Sequence, residues 1–369
     1  MIAAHIFQQT LTDFLEPIAP LLADDRVSEI MINRFDRIYV ERGGRIDRAP
    51  ASFASEHALL AAVKNVAQFV GRLVDAEHPI LDARLPDGSR VAVMLPPAAR
   101  AGVCMSIRRF PKERLTVERL LAVGAMTPSS CDFLRACVLG KRNLVVAGGT
   151  GSGKTSMLNA LSSFVPEEER ILVLEDSSEL QLMQEHTVYM EAIPADVRGR
   201  GAVSIRDLLR ASLRMRPDRI VVGECRGGEA LDLIQAMTSG HGGSLSTVHA
   251  TYPHDTVQRL ETLCLMSDIG LPLGALRQQI ASAVNVIVQT GRFNDGSRRI
   301  THVAECRGLD DGGQYDLQML YVFEQSGHDP DSGRVRGRLA CTGRRPSFAD
   351  DLLARGLALD PEMGAEGSS

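Results

Sequence analysis

The sequence predicts an α/β protein with two domains, and three observations support this fold class. About the first hundred residues read as strands, one helix and further strands, which is the order of a small α+β domain. From about residue 119, short apolar runs alternate with helical patterns, as they do in α/β folds. A glycine-rich loop stands between one of these strands and the helix after it. A length of 369 residues is sufficient for both domains.

The composition is that of an ordinary globular chain and argues against several classes of function. Hydrophobic residues make up 44% of the chain, and no apolar run approaches the roughly 20 residues that span a bilayer. The net charge of −5 argues against a general nucleic-acid binder. The seven cysteines are scattered and form no C-x-x-C pair, so neither a zinc module nor a disulfide framework is indicated. Because the first residues also lack the pattern of a signal peptide, we expect a reduced, cytoplasmic protein.

The first domain is expected to span residues 1–110. A helical period covers 10–22, and Ser55 is a suitable N-cap for a second helix that ends near Gly71. The strands of this domain are expected at 27–33, 37–41, 89–95 and 102–107. Residues 111–118 are expected to form a linker. This pattern alone indicates little about function.

The second domain is expected to span 119–360, with a flexible tail at 361–369. Its strands are expected at 143–147, 170–174, 187–191, 219–222, 243–248 and 284–289. Apolar residues at helical spacing predict a helix over 206–214. From about Ser297 the pattern changes to short β runs and turns, which predicts a β-rich C-terminal part.

The most specific pattern in the chain is a phosphate loop at 148–155. It fills every fixed position of G-x-x-x-x-G-K-[ST] and stands between an apolar strand and the opening of a helix. Such a loop points backbone N–H groups and the positive end of a helix dipole at a phosphate. We therefore predict that the chain binds a nucleoside triphosphate, ATP, together with Mg²⁺. Lys154 is expected to reach the β- and γ-phosphates, and the Thr155 hydroxyl to bind Mg²⁺. The predicted ATP-binding residues are Gly149, Thr150, Gly151, Ser152, Gly153, Lys154, Thr155 and Ser156.

Acidic residues at two strand ends are the candidates for catalysis. Glu175 and Asp176 follow the apolar run 171–174, and Glu224 follows the run 220–222 after one glycine. In a sheet built on a phosphate loop, ligands lie at the carboxyl ends of the strands. We expect Glu224 to polarise the attacking water, and Glu175 and Asp176 to support Mg²⁺ and that water. An aspartate usually ends the second of these strands, but here Gly223 and Glu224 follow the run 220–222.

Two histidines bracket another predicted strand. His241 precedes the strand at 243–248 and His249 follows it, with hydroxyl side chains between them. A single histidine is more often a structural hydrogen-bonding residue than a catalyst. Two histidines with neighbouring hydroxyls fit a phosphate sensor better, so we predict that both serve in phosphate sensing. The spacing offers no third ligand and argues against a metal site.

A basic segment at the end of the first domain supplies further cations. Basic runs are usually solvated surface, but arginines from a neighbouring domain can also neutralise the charge of a transferring phosphate. We favour Arg108 and Arg109 for this role, because a group carried by a moving domain couples hydrolysis to motion. The alternatives within the second domain are Arg198, Arg200, Arg206 and Arg210.

Four of these stretches together resemble the secretion-superfamily ATPases of type II and type IV machines. The stretches are GGTGSGKT, LEDSSELQL, LRMRPDRIVVGECRGGEALD and GHGGSLSTVHA. In that family they are the Walker A loop, the Asp box, the Walker B segment with its glutamate, and the His box. Three N-terminal stretches, SEIMINRFDRIYVERGGRI, ILDARLPDGSRVAVMLPP and SIRRF, resemble the CpaF/TadA branch, the motors of Tad (Flp) pili.

The resemblance implies a PAS-like N-terminal domain, a RecA-like C-terminal domain and a hexameric ring with ATP between subunits. It also implies that arginines like Arg108 and Arg109 approach the phosphates. The activity implied is Mg²⁺-dependent ATP hydrolysis that powers Tad/Flp-type pilus assembly or protein secretion. The implied partners are further copies of the chain and platform proteins of the inner membrane. The protein itself would be cytoplasmic and would associate with the membrane only through those platform proteins.

Three other functions are compatible with a phosphate loop. One is a RecA-like nucleic-acid motor, against which the acidic balance and the 4% aromatic content argue, so no nucleic acid is expected as a partner. Another is a related type IV secretion (conjugation) ATPase. The third is a nucleotide-gated scaffold with negligible turnover, and the intact Lys154, Thr155 and Glu224 argue against it.

Overall fold

The computed structural model describes residues 13–109, 116–195 and 199–364, and its chain divides into two compact units. The first unit contains the described residues before 110 together with a short stretch around Arg200, and the second contains the others. In the described part of the chain, no helix is both long enough and apolar enough to cross a bilayer. Several predictions lie outside the described residues: the start of the first helix at 10–12, most of the linker, Arg198 and the tail from 365.

The first unit is a six-stranded antiparallel sheet with helices. The strands are β1 (Val27–Arg34), β2 (Arg37–Arg42), β3 (Arg45–Arg48), β4 (Ile80–Arg84), β5 (Arg90–Met94) and β6 (Cys104–Arg108). They are ordered β3-β2-β1-β6-β5-β4. A 3₁₀ turn (Glu16–Ile18) leads into α1 (Ala19–Ala23), and α2 (Glu56–Phe69) follows β3.

The predicted N-cap of α2 is confirmed, because the Ser55 hydroxyl accepts a hydrogen bond from the backbone N–H of Ala58 at 3.2 Å. The buried face of α2, including Leu59 and Val63, belongs to the core of this unit. Two strands, β3 and β4, were not predicted. All four residues of β3 are exposed and β4 buries only Leu81, so neither shows the alternation that marks a half-buried strand.

The second unit is built on a nine-stranded sheet. The strands are β7 (Leu144–Gly148), β8 (Ile171–Glu175), β9 (Thr187–Glu191), β10 (Arg219–Val222), β11 (Leu245–Val248), β12 (Val286–Arg292), β13 (Arg298–Leu309), β14 (Tyr315–His328) and β15 (Val335–Cys341). Their order is β15-β14-β13-β12-β7-β11-β10-β8-β9. The six strands from β12 to β9 run parallel, and β13 to β15 continue the sheet in antiparallel pairs.

Helices cover both faces of the parallel part. They are α3 (Val117–Ala122), α4 (Pro128–Leu139), α5 (Lys154–Ser162), α6 (Ile205–Ser212), α7 (Glu229–Thr238), α8 (Pro253–Leu265), α9 (Leu273–Ala283) and, near the C-terminus, α10 (Ala349–Ala354). Alternate residues of β7 serve the two faces: Leu144 and Val146 share a core with α4 and α5, whereas Val145 and Ala147 share one with α6 to α9. Burial on both faces explains why these strands read as continuous apolar runs.

The C-terminal part differs from the prediction in two respects. Instead of short β runs, β13 and β14 are strands of 12 and 14 residues that extend the central sheet. Gly308 and Gly327, with φ of 128° and 137°, lie at register shifts that conceal the period of these strands. The chain from 361 to 364 is not a loose tail, because Met363 is buried in the core and the N–H of Gly364 bonds the Gly343 carbonyl at 2.6 Å.

Candidate nucleotide-binding site

The phosphate loop connects β7 to α5. Residues 149–153 form the turn, and Lys154, Thr155 and Ser156 begin the helix. Gly151 and Gly153 have φ of 70° and 92°, in the left-handed region that favours glycine. The first N–H groups of α5 lack partners within the helix and lie next to this turn, an arrangement suited to an anion.

A group of hydroxyls fixes the loop to the neighbouring strand β12. The Oγ1 of Thr290 lies 3.0 Å from the Ala147 carbonyl and 2.9 Å from the Oγ of Ser152, which in turn bonds the Gly149 carbonyl at 2.8 Å. A Cβ on Gly148 would collide with both hydroxyls. The loop therefore needs glycine at its first position, and it is anchored on the β12 side.

Lys154 and His249 meet on the other side of the loop. Lys154 is only 8% exposed, and its Nζ donates to the Gly149 carbonyl at 3.2 Å. The same Nζ lies 3.2 Å from Nε2 of His249, the residue that follows β11. Burial and the nearby ammonium group both lower the pKa of His249. At neutral pH this histidine is therefore a neutral imidazole beside a cation.

Glu224 completes a chain of polar groups with these two residues. Its Oε1 lies 2.6 Å from Nε2 of His249, without the alignment of a hydrogen bond, and its side chain is 16% exposed. Its Oε2 accepts a hydrogen bond from Nε of Arg226 at 2.7 Å. Arg226 also approaches Asp176, at 3.8 Å. The structure thus brings the predicted cation, carboxylate and second histidine together at the carboxyl ends of neighbouring parallel strands.

Glu175 is buried behind this group, at the end of β8. Its Oε1 accepts hydrogen bonds from the backbone N–H groups of Glu179 at 2.9 Å and Leu180 at 3.0 Å. Burial nevertheless raises its pKa to about 7. A Cβ on Gly223 would lie 2.8 Å from Cγ of Glu175, so the buried glutamate leaves no room for the aspartate that usually occupies position 223.

The raised pKa of Glu175 predicts how a substitution changes stability with pH. The unfolded carboxyl titrates near pH 4.5, about two and a half units lower, so the folded state loses stability as pH rises from about 4.5 to about 7. Glu175→Gln keeps an oxygen for the two N–H groups and removes this loss. We expect the variant to exceed the wild type by up to about 3 kcal/mol at pH 8 and to match it near pH 4.5. Urea unfolding at both pH values measures the difference, and a difference that did not vary with pH would contradict the buried acid.

The two predicted phosphate-sensing histidines do not lie together. In the pairing of β11 with β7, Val248 lies opposite Ala147 and Leu245 opposite Leu144, so His249 lies next to the loop. His241 precedes β11 at the other end, roughly 10 Å or more away along the strand. Within one chain, therefore, only His249 of the two lies beside the loop, and a phosphate-sensing role for either histidine remains a prediction. The two are separated because residues bracketing a strand lie at opposite edges of a sheet.

The predicted arginines differ in how their side chains are used. The side chain of Arg109 is 6% exposed, and its guanidinium donates to the Asp24 carbonyl at 2.6 Å and lies 3.7 Å from the Asp25 carboxylate, all within the first unit. Arg108, the last residue of β6, is exposed. Arg109 thus has a structural use in its own unit, and Arg108 is left as the favoured candidate.

Two of the alternative arginines are held elsewhere. Arg206 and Arg210 both bind the carboxylate of Asp232, at 2.7 Å and 2.9 Å, and so join α6 to α7. Arg200 groups with the first unit.

Sequence reasoning did not predict two arginines that lie against the loop. Arg292 ends β12 and Arg298 begins β13, and their side chains lie within 4 Å of where a Cβ on Gly151 and on Gly153, respectively, would stand. The predicted strand at 284–289 ended three residues before Arg292. Extending that strand by three residues would have brought the arginine to the end of the sheet that carries the loop.

Comparison with known proteins identifies the family of the chain. A family model described as "Type II/IV secretion system protein" matches residues 12–301. The chain is 36% identical over 296 residues to a Mycobacterium tuberculosis protein named as a putative conjugal transfer protein. The aligned region covers 79% of this chain and 84% of that protein. The chain is 35% identical over 320 residues to the type IV secretion system protein PtlH of Bordetella pertussis, with 79% and 94% covered.

A solved structure shares the fold. It is the pilus retraction motor PilT with bound ADP, with a TM-score of 0.53, 19% identity, and 94% of this chain and 86% of that chain covered. At this identity the likeness concerns the fold alone. The family model, by contrast, covers well over half of the chain, and the predicted resemblance to secretion-superfamily ATPases is confirmed. The chain belongs to the family of type II/IV secretion system proteins.

Proposed function

We propose that this chain is a Mg²⁺-dependent ATPase that works as an oligomeric motor in a secretion or pilus machine. The observation that carries the proposal is the convergence of Lys154, His249 and Glu224 beside the phosphate loop. A loop that only bound a nucleotide would need the cation alone. A carboxylate and a neutral imidazole next to that cation suit hydrolysis, because a water attacking the γ-phosphate must be oriented and deprotonated.

The residues present fit ATP and Mg²⁺. The left-handed glycines of the loop leave the backbone open to a phosphate, and Lys154 contacts a carbonyl and an imidazole that phosphate oxygens can replace. Thr155 would hold Mg²⁺ through its hydroxyl, with Asp176 supporting it. When bound, Mg²⁺ neutralises charge on the β- and γ-phosphate oxygens.

Each residue then has a part in hydrolysis. Glu224 orients the attacking water and accepts its proton, because its carboxylate contacts His249, which in turn contacts Lys154. His249, neutral at pH 7, donates to the γ-phosphate and reports its presence. Glu175 supports the end of β10 from behind, through its packing on Gly223.

We further propose the assembly and location that the family suggests. The chain would form a homohexamer with ATP between subunits, from a PAS-like first domain and a RecA-like second domain. It would be cytoplasmic and bind the inner membrane peripherally, through platform proteins. The machine would assemble a Tad/Flp-type pilus. A conjugation or secretion machine is the alternative, favoured by the relatives named for conjugal transfer and type IV secretion. Genes for pilins beside the gene for this chain would distinguish the two.

The experiment that tests the proposal measures phosphate release by the purified chain with and without Mg²⁺. Light scattering with a non-hydrolysable ATP analogue and Mg²⁺ follows assembly in parallel. We expect hydrolysis that requires Mg²⁺ and a particle of about six subunits. A strict monomer without hydrolysis would contradict the motor, and turnover that rises strongly with DNA would favour a nucleic-acid motor instead.

Arg108 and Arg109 form a matched pair for testing whether the first unit supplies a cation to the reaction. Arg108→Ala is expected to lower kcat about a hundredfold and leave the melting temperature unchanged, because an exposed guanidinium is removed. Arg109→Ala is expected to lower the melting temperature, because it removes the buried bond to the Asp24 carbonyl. Steady-state ATPase rates and thermal melts of both variants measure this. Wild-type kcat in Arg108→Ala would rule out its proposed role.

A further inference from the structure

The hairpin between β12 and β13 packs directly on the phosphate loop. In the parallel pairing of β12 with β7, Thr290 lies opposite Gly148, so Arg292 extends past the end of β7 to the level of the loop. A Cβ built on Gly151 would lie 3.2 Å from Nη1 of Arg292. The stem of Arg298 lies against Gly153 in the same way, with Cδ 3.6 Å from such a Cβ. Of these two contacts, only that of Arg292 is made by a guanidinium nitrogen.

The hairpin is held in place by its own turn and by β15. The Asp295 carboxylate accepts hydrogen bonds from the N–H of Ser297 at 2.9 Å and the N–H of Val335 at 2.7 Å. Arg299 donates to the Val335 carbonyl at 2.8 Å, and its guanidinium lies 5.9 Å from the ring centre of Phe293. Because these contacts fix the turn, the backbone that carries Arg292 is already in position before a nucleotide binds.

The order of the strands indicates which part of a nucleotide faces Arg292. Strand β7 has β11 on one side and β12 on the other. Lys154 reaches toward His249 at the end of β11, and Glu224 lies farther in the same direction, at the end of β10. The γ-phosphate therefore belongs on the β11 side. Arg292 lies on the opposite flank, where the α-phosphate end of the nucleotide must lie.

We propose that Arg292 binds the α- and β-phosphates of the nucleotide held by its own subunit. The proposal rests on the function proposed above and adds a positioning residue to it. Arg292 is an exposed residue beside the phosphate loop, and a guanidinium is a planar donor group that matches two phosphate oxygens. Because ATP and ADP share these phosphates, Arg292 serves both equally, unlike a cation that meets only the γ-phosphate.

The test compares full-length variants by calorimetric titration with ADP and with the β,γ-imido analogue of ATP. Arg292→Ala is expected to weaken the binding of both nucleotides about tenfold, with kcat at saturating ATP within about twofold of the wild type. Arg292→Lys, which keeps the charge but loses the fork, should recover part of the affinity. The matched control is Arg338→Ala, which removes an exposed arginine of β15, and its affinities should equal those of the wild type.

Three outcomes would overturn the proposal. Unchanged affinity for both nucleotides in Arg292→Ala would overturn it, since the arginine would then only cover the loop. A loss confined to the triphosphate analogue, or a large fall in kcat with normal ADP binding, would also overturn it and assign the residue to the γ-phosphate. If the wild type itself bound neither nucleotide, the proposed function would fail. If the wild type and Arg292→Ala bound both nucleotides with the same affinity, only the inference about Arg292 would fail.

Discussion

Replacing Lys154 by alanine is expected to abolish ATP hydrolysis and to weaken nucleotide binding about a hundredfold. The Lys154 ammonium group is nearly buried between the Gly149 carbonyl and His249, where it is available to the β- and γ-phosphates. Its loss leaves phosphate charge without its closest cation in a site that excludes much of the solvent. Phosphate release and calorimetric titration with ADP measure the two effects.

The matched control for this variant is Lys64→Ala. Lys64 is an exposed residue of α2 in the first unit, so its removal changes the net charge equally without touching the loop. We expect wild-type hydrolysis from this control and wild-type melting temperatures from both variants. Normal turnover in Lys154→Ala would contradict the assignment of the phosphate loop.

The substitution Glu224→Gln is expected to lower kcat by about a hundredfold or more while the ATP analogue still binds. The amide keeps an oxygen for Arg226 and nearly the same volume, but it cannot accept a proton from water. The expected result is therefore a loss of rate without a loss of affinity. Single-turnover hydrolysis separates the chemical step from product release.

Glu191→Gln provides the comparison for Glu224→Gln. Glu191 also ends a parallel strand, but β9 is the edge strand of the sheet, four positions from β7 in the strand order. Its substitution should leave kcat unchanged. If Glu224→Gln and Glu191→Gln both hydrolysed ATP at the wild-type rate, Glu224 would not be the group that activates water.

The parallel part of the sheet could be predicted because burial on both faces leaves a simple signal. Strands such as β8 and β10 are uninterrupted apolar runs, and their carboxyl ends are marked by Glu175 and Glu224. The antiparallel extension could not be predicted in detail. Its strands are half exposed and carry charges, and Gly308 and Gly327 interrupt the alternation from which a strand is recognised.

The features of the site that could be predicted depend on residues adjacent in the chain, and those that could not depend on contacts between distant parts of the chain. The phosphate loop depends on residues that are adjacent in the chain, so its chemistry can be read directly. The separation of His241 from His249 depends on where β11 begins and ends. The approach of Arg292 to the loop depends on the register between β12 and β7, which are more than a hundred residues apart. The pairing of Arg109 with the Asp24 carbonyl leaves no mark in the sequence.

The hydroxyl contact between Ser152 and Thr290 has a mechanical consequence. It couples the loop to β12, and β12 continues through paired strands to β15, about 14 Å away at ordinary strand spacing. A hydrogen-bonded sheet resists shear within its plane because each strand is held along its length by its neighbours. Force applied at the β15 edge is therefore expected to reach the loop through the hydrogen-bonded strands from β15 to β12, with little deformation of the sheet. A displacement of the β15 edge is therefore expected to move the phosphate loop with it.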